Sequence, residues 1–257
     1  MGKKDSKRPA QHLKVPMAAP SMRIGLLGGS FNPAHAAHRQ VSLAALKRLR
    51  LDQVWWLVSA SNPLKAKAPD LETRIAVARA VAHHPKIVVT GFEASRGSAY
   101  TVDTIRFLKR RYPSVNFVWL MGADNLVSFH RWRAWETLFR LVPIAVLDRP
   151  GYRLKARASR AAQRFASAAL DETDAPGLPG MEPPAWTLLT LPLSSLSSTQ
   201  LRGAKSATPA GVTPRRAAKA AKKEVKKVLK AAKRRGKKDA KQAKRDAKAI
   251  KKSKKEA

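Results

Sequence analysis

The sequence predicts an α/β chain: a doubly wound parallel sheet with helices on both faces. Three observations carry that reading. Between Arg23 and Leu201 short apolar runs alternate with helix-like segments of about ten residues or more, the pattern of strands joined by crossover helices. Several runs, among them RIGLLGG and NFVWLMG, are continuously apolar, as strands buried on both faces are. The first run also passes into the first helix through GGSFNPAHAAH, a turn crowded with Gly, Pro and His. In such sheets ligands sit beyond the carboxyl ends of the strands, where strand order reverses.

Taken in order, RIGLLGG (23–29) is the first strand and VSLAALKRLR (41–50) has helical spacing. QVWWLVS (53–59) is again strand, and NPLKAKAP (62–69) is a loop. DLETRIAVARAVAHH (70–84) is a helix with Asp70 placed as its N-cap. KIVVTGFE (86–93) is strand and TVDTIRFLKRRYP (101–113) helix. NFVWLMG (116–122) is a buried strand, followed by a mixed helical stretch holding Phe129, Trp132, Trp135 and Phe139. PIAVLD (143–148) is strand, SRAAQRFASAAL (159–170) helix and AWTLLTLP (185–192) the last strand. DETDAPGLPGMEPP (171–184) is a Pro/Gly-rich acidic loop.

The 257 residues suffice for one ordinary domain with tails, and 44% hydrophobic content can build its core. There is no cysteine, which excludes disulfides and Cys-based zinc sites and suits a reducing, cytoplasmic setting. No apolar run reaches the roughly 18 residues of a membrane span. The N-terminus is charged with no apolar stretch after it, unlike a secretory signal. The net charge is +35, and much of it lies at the ends. Residues 203–257 hold 22 Lys/Arg against 4 Asp/Glu, nearly all in a Lys/Ala/Arg alphabet too poor in apolar residues for a core. The expected division is a basic disordered extension over 1–21, a globular domain over 22–203, and a disordered to transiently helical tail over 204–257. That tail is a candidate for sequence-independent contact with nucleic acid, or is simply a solvated appendage.

The opening turn suggests phosphate. Gly28 and Gly29 present no side chain to block a bound anion, and a helix beginning near His38 offers its positive end. His35 and His38 are three apart, so both can point to one side of the first helical turn. The same pair could bind a metal or be a surface pair.

At this level of detail the chain resembles a known family. GGSFNPAHAAH is similar to the nucleotidyltransferase signature G-G-x-F-x-P-x-H-x-G-H, with Ala37 where the family has Gly. SAYTVDTI (98–105), MGADNLVSFHRWRAWETL (121–138), DRPGY (148–152) and LSSTQLR (196–202) follow in family order and resemble bacterial nicotinate-nucleotide adenylyltransferase. The resemblance covers about residues 22–203 and implies a Rossmann-like nucleotidyltransferase fold. It also implies adenylyl transfer from ATP to nicotinate mononucleotide, a step of NAD biosynthesis.

The resemblance implies roles for particular residues. His35, His38 and Arg202 are the catalytic set. Gly28, Gly29, Ser30, Phe31, Gly122, Asp124, Ser197, Ser198 and Thr199 hold ATP. Asn32, Lys65, Tyr100, Thr101, Val102, Trp132 and Arg133 hold the mononucleotide, with Lys65 on phosphate, Trp132 stacked on the pyridine and main-chain N–H groups on the carboxylate. Mg²⁺ is carried mainly by the ATP phosphates, with no dedicated metal site on the protein. Trp119 and Trp135 are expected in the core, and Asp124 could instead cap the helix after it. If Ala37 lies in helical backbone, the departure from Gly costs little. Two other readings stay open: a nucleotidyltransferase with another acceptor, such as nicotinamide mononucleotide, or a nucleic-acid-binding protein on a vestigial fold.

Overall fold

The computed structural model describes residues 13–60, 70–96, 100–149 and 151–190. The chain divides into two units, Met1–Arg202 and Gly203–Ala257, and the described residues all belong to the first.

Among them is a seven-stranded sheet, every pairing parallel, in the order β3-β2-β1-β4-β5-β7-β6. The strands are β1 (Arg23–Gly29), β2 (Gln53–Val58), β3 (Ile87–Thr90), β4 (Asn116–Gly122), β5 (Ile144–Leu147), β6 (Ala169–Leu170) and β7 (Trp186–Leu189). The helices are α1 (Ala36–Arg48), α2 (Leu71–Ala82), α3 (Thr101–Arg111), α4 (Ala123–Ser128), α5 (Trp135–Leu141), α6 (Arg153–Arg157) and α7 (Arg160–Arg164).

Successive strand residues feed two separate cores. On β2, Trp55 and Leu57 join one core while Val54, Trp56 and Val58 join the other. β4 divides likewise, with Phe117, Trp119 and Met121 on one face and Val118 and Leu120 on the other. Both faces are apolar because both are covered. Ile105 and Leu108 of α3, Leu138 and Phe139 of α5, and Ala161 and Ala162 of α7 share the core of Trp55 and Trp119; Ala45 and Leu49 at α1 and Ile75, Ala78 and Ala82 of α2 share that of Trp56 and Val118. Strand order reverses between β1 and β4, whose register pairs Leu27 with Leu120. The turn after β1 and the start of α4 therefore meet at the switch point.

Asp70 caps α2 as its spacing predicts, accepting from Thr73 N at 2.7 Å. Three segments differ from expectation. The helix expected over 159–170 ends at Arg164. Phe165 stacks on Phe139, with centroids 4.2 Å apart and an interplanar angle of 10°. Its carbonyl accepts from Trp186 Nε1 at 2.8 Å. That anchoring draws the chain into β6, whose Ala169 pairs with Trp186. The acidic stretch expected as loop carries a 3-10 helix over Glu172–Gly180, which buries Ala175, Leu178 and Pro179. Residues 13–21, assigned by composition to a disordered extension, lie against the body instead. Thr90 Oγ1 donates to Lys14 O at 3.1 Å and Tyr112 Oη to Pro16 O at 2.7 Å. Val15 and Ala18 pack on the core beneath them. The charge in this region lies mostly before Leu13, while residues 13–21 have enough apolar surface to dock.

Candidate functional site

The turn after β1 is built by packing as much as by glycine. A Cβ on Gly28 would lie 2.5 Å from Trp119 Cη2, so this glycine makes room for an indole reaching over from β4. Packing is thus a second reason for glycine at position 28, beside the expected approach of a phosphate. A Cβ on Gly29 would meet only Phe31 atoms at ordinary contact distance. Ser30 is half-buried. Phe31 adopts φ 44°, a left-handed conformation costly for an aromatic residue. Its ring is 2% exposed, stacked on Trp56 at 5.0 Å and 4.9 Å from the ring of His38. The Phe31 side chain thus supports His38 from below, leaving only its main chain free to face an anion. Asn32 follows, half-buried, joined to Pro33 by a cis peptide bond.

α1 starts earlier than expected, at Ala36 with His35 as N-cap, so its first turn delivers both histidines. Their rings are 3.9 Å apart. His38 Nδ1 accepts from His35 N at 3.2 Å, which leaves its proton on Nε2. Beneath them Ser42 Oγ donates to His38 O at 2.9 Å and accepts from Trp56 Nε1 at 2.7 Å. Burial, then the neighbouring His35 and Arg149 charges, lowers the His38 pKa to about 3. Burial and Arg149 also lower that of His35. Both rings are therefore neutral near pH 7, and each can donate one N–H. Ala37 lies inside α1, buried and not among the residues with positive φ. The methyl that replaces a family glycine is accommodated in ordinary helical backbone.

Arg149, in the DRPGY segment, was given no role by sequence reasoning. It acts on both histidines electrostatically, and its Nε lies 3.2 Å from Asp124 Oδ1. Asp124 is in the first turn of α4, whose N-cap is Gly122, so it pairs with Arg149 rather than capping. A Cβ on Gly122 would lie 2.9 Å from Arg149 Nε and would also strike Asp124 Oδ1. His35, His38, Arg149 and Asp124 thus gather at the carboxyl ends of β1, β4 and β5.

Across the sheet, Tyr100, Thr101, Trp132 and Arg133 line one cavity of about 270 Å³. Tyr100 is the N-cap of α3, so the first-turn N–H groups of Thr101 and Val102 have no intrahelical acceptor. The Val102 side chain is buried in the core, which leaves its main chain for recognition. Arg133 lies over the Tyr100 ring, 4.3 Å from its centroid, closing one wall. Trp132 is half-buried and meets Trp119 edge-on at 6.3 Å. Glu93 accepts from Thr104 Oγ1 at 2.6 Å and so pins the start of α3, and burial raises its pKa. Trp119 and Trp135 pack with the core as expected, Trp135 partly buried. A larger cavity of about 550 Å³, bordered by Arg48, Arg153, Arg157 and Glu172, includes none of the expected site residues. Its Arg48 is paired with Glu172 and its Arg153 with Asp148, so the smaller cavity is the better candidate. Lys65, Ser197, Ser198, Thr199 and Arg202 lie outside the described residues.

Comparison with known proteins places the chain in a family. The cytidylyltransferase-like family model matches residues 26–204. A protein of Methylorubrum extorquens (strain PA1), named "Probable nicotinate-nucleotide adenylyltransferase", is 60% identical over 184 residues, 70% of this chain and 99% of that protein. A protein of the same name from Cereibacter sphaeroides is 52% identical over 182 residues, 70% of this chain and 96% of that one. The solved nicotinic acid mononucleotide adenylyltransferase of Plasmodium falciparum, in complex with NaAD, shares the fold with a TM-score of 0.54 at 18% identity. The match covers 70% of this chain and 82% of that one. A doubly wound sheet, a histidine pair at its switch point and relatives matched along nearly their whole length lead to one conclusion: the chain belongs to the nicotinate-nucleotide adenylyltransferases of the cytidylyltransferase-like family.

Proposed function

We propose that the protein joins ATP and nicotinate mononucleotide into nicotinate adenine dinucleotide with release of pyrophosphate, a step of NAD biosynthesis. The observation that carries the reading is the convergence of Tyr100, Thr101, Trp132 and Arg133 on one cavity, on the opposite side of the switch point from the His35–His38 pair. One side suits a flat anionic ring and the other a polyphosphate.

An oxygen of the mononucleotide 5′-phosphate attacks the α-phosphorus of ATP, and the bond to the β-phosphate bridging oxygen breaks. The attacking oxygen is already ionised near neutral pH, so no general base is needed. Catalysis then consists of aligning two anions and stabilising the charge that develops. His38 donates from Nε2 and His35 from its own N–H, with Arg149 as a fixed positive charge beside them. Asp124, held by Arg149, is placed for the adenosine ribose, and Gly122 keeps the space above the pair clear. The Ser/Thr turn with Ser197, Ser198, Thr199 and Arg202 completes the triphosphate contacts, Lys65 adds a phosphate contact, and Asn32 faces the mononucleotide. ATP enters as its Mg²⁺ complex. The Mg²⁺ would be carried mainly by the phosphate oxygens, where it would offset their charge.

Main-chain N–H groups of Thr101, Val102 and Arg133 receive the nicotinate carboxylate, with the pyridine stacked on Trp132. An amide at that position turns an N–H₂ toward donors and leaves one of them unsatisfied. The expected kcat/KM for nicotinate mononucleotide is at least about 10²-fold above that for the amide form. Turnover assays with ATP and each mononucleotide test this, and equal turnover of the two would falsify the acceptor assignment. The basic tail adds a separate capacity, sequence-independent contact with nucleic acid.

A further inference from the structure

A buried guanidinium holds two loops of the site together. Arg74, in the second turn of α2, is 5% exposed. Its Nη1 donates to Ser30 O at 2.8 Å and to Ser59 O at 2.9 Å, and its Nη2 donates to Ala60 O at 2.8 Å. Ser30 belongs to the turn between β1 and α1. Ser59 and Ala60 directly follow β2. Ser59 N also donates to Gly29 O at 3.0 Å, so the two segments already touch along the main chain. The planar fork of Arg suits this task, because it presents several N–H groups in fixed directions; an ammonium presents its donors from one point. Ser30 precedes Phe31, whose left-handed backbone puts its ring beneath His38. A strained conformation persists only where the surroundings fix it, and the grip on Ser30 O supplies one such restraint.

We propose that Arg74 is a positioning residue for adenylyl transfer. By holding Ser30 together with Ser59 and Ala60 it sets the shape of the phosphate-binding turn and couples that turn to the loop after β2. The inference rests on the reading of the turn as the ATP triphosphate site. Arg74 acts through main-chain groups and through Phe31 and His38, and touches neither substrate. The cavity of Tyr100, Thr101, Trp132 and Arg133 lies across the sheet from it.

The test compares Arg74→Lys with wild type, varying ATP and nicotinate mononucleotide separately below the melting temperature of both proteins. The expected result is a loss of at least about tenfold in kcat/KM for ATP, with a smaller rise in KM for nicotinate mononucleotide than in KM for ATP. A folded variant with unchanged kinetics, or with both KM values raised alike, overturns the inference and leaves Arg74 a purely structural residue. Wild-type turnover in the same assay tests the underlying reading separately. If Arg74→Lys does not fold, hydrogen exchange of the wild-type protein with and without α,β-methylene ATP decides. Protection rising together in the segments around Ser30 and Ser59 supports the coupling; protection around Ser30 alone overturns it.

Discussion

Histidines held neutral by burial have a cost that can be measured. In an unfolded chain a histidine takes up its proton near its ordinary pKa of 6.5, whereas His38 in the fold remains neutral down to about pH 3. Between those values the unfolded state binds more protons. Stability is therefore fully present above about pH 6.5 and falls as pH drops below it, by up to about 1.4 kcal/mol per unit for this one group. His38→Ala should make the decline in urea-unfolding free energy from about pH 7 to about pH 5 shallower, and lower kcat by roughly 10²–10³. A variant that keeps the wild-type pH slope and kcat would return His38 to a bystander. The pair itself was legible from its spacing, as was room for Ala37 in helical backbone. Gly28 was not, because the indole that excludes a side chain there comes from a strand far along the sequence. Arg149 and Arg74 escaped for a similar reason: in a chain so rich in arginine, only tertiary placement separates these two from the solvated ones.

Among the elements, long helices with an N-cap and a clear apolar period were readable, as α2 and α3 show. Shorter ones were readable only as a mixed helical stretch over α4 and α5, and α6 was not readable at all. α6 is basic with a single buried residue, Ala156, and so gives no periodic signal. The helix expected over 159–170 yields to the Phe165 anchor, a tertiary contact that local propensity does not encode. The segment over 13–21 shows the opposite error, since composition averaged over a whole extension hid the apolar part of it. Removing residues 1–21 abolishes the bonds to Lys14 O and Pro16 O and exposes the surface under Val15 and Ala18. The expected loss is about 1–3 kcal/mol, seen as a lower urea midpoint. Turnover below the melting temperature should be unchanged, because these contacts fall on Thr90 and Tyr112 rather than on the histidines. An unshifted midpoint would mean that the docked segment contributes nothing to stability.

For the molecule as a whole, the fold class and the parallel sheet were legible, because apolar periodicity reports on them directly. The assignment of strand residues to one core or the other was not, since it depends on how the sheet is covered. The tail is a matter of charge alone. Its 22 Lys/Arg against 4 Asp/Glu should release counterions on meeting a polyanion. A variant ending at Arg202 is expected to keep adenylyl transfer and lose affinity for duplex DNA, while in the full chain log K falls linearly with log salt. Salt titrations of both forms beside a turnover assay check this; equal DNA binding by the two, or loss of turnover on truncation, would show that the tail is no separable arm. At the other end of the length scale, the edge-on contact between Trp119 and Trp132 turns the acceptor cavity into an optical device. The two indoles are close enough for their excited states to mix, and one of them borders the space where a pyridine ring would stack. A ring bound in that space should quench the emission of Trp132 and change the near-ultraviolet dichroism of the pair, so a titration with nicotinate mononucleotide checks, without any added label, that this cavity takes the acceptor.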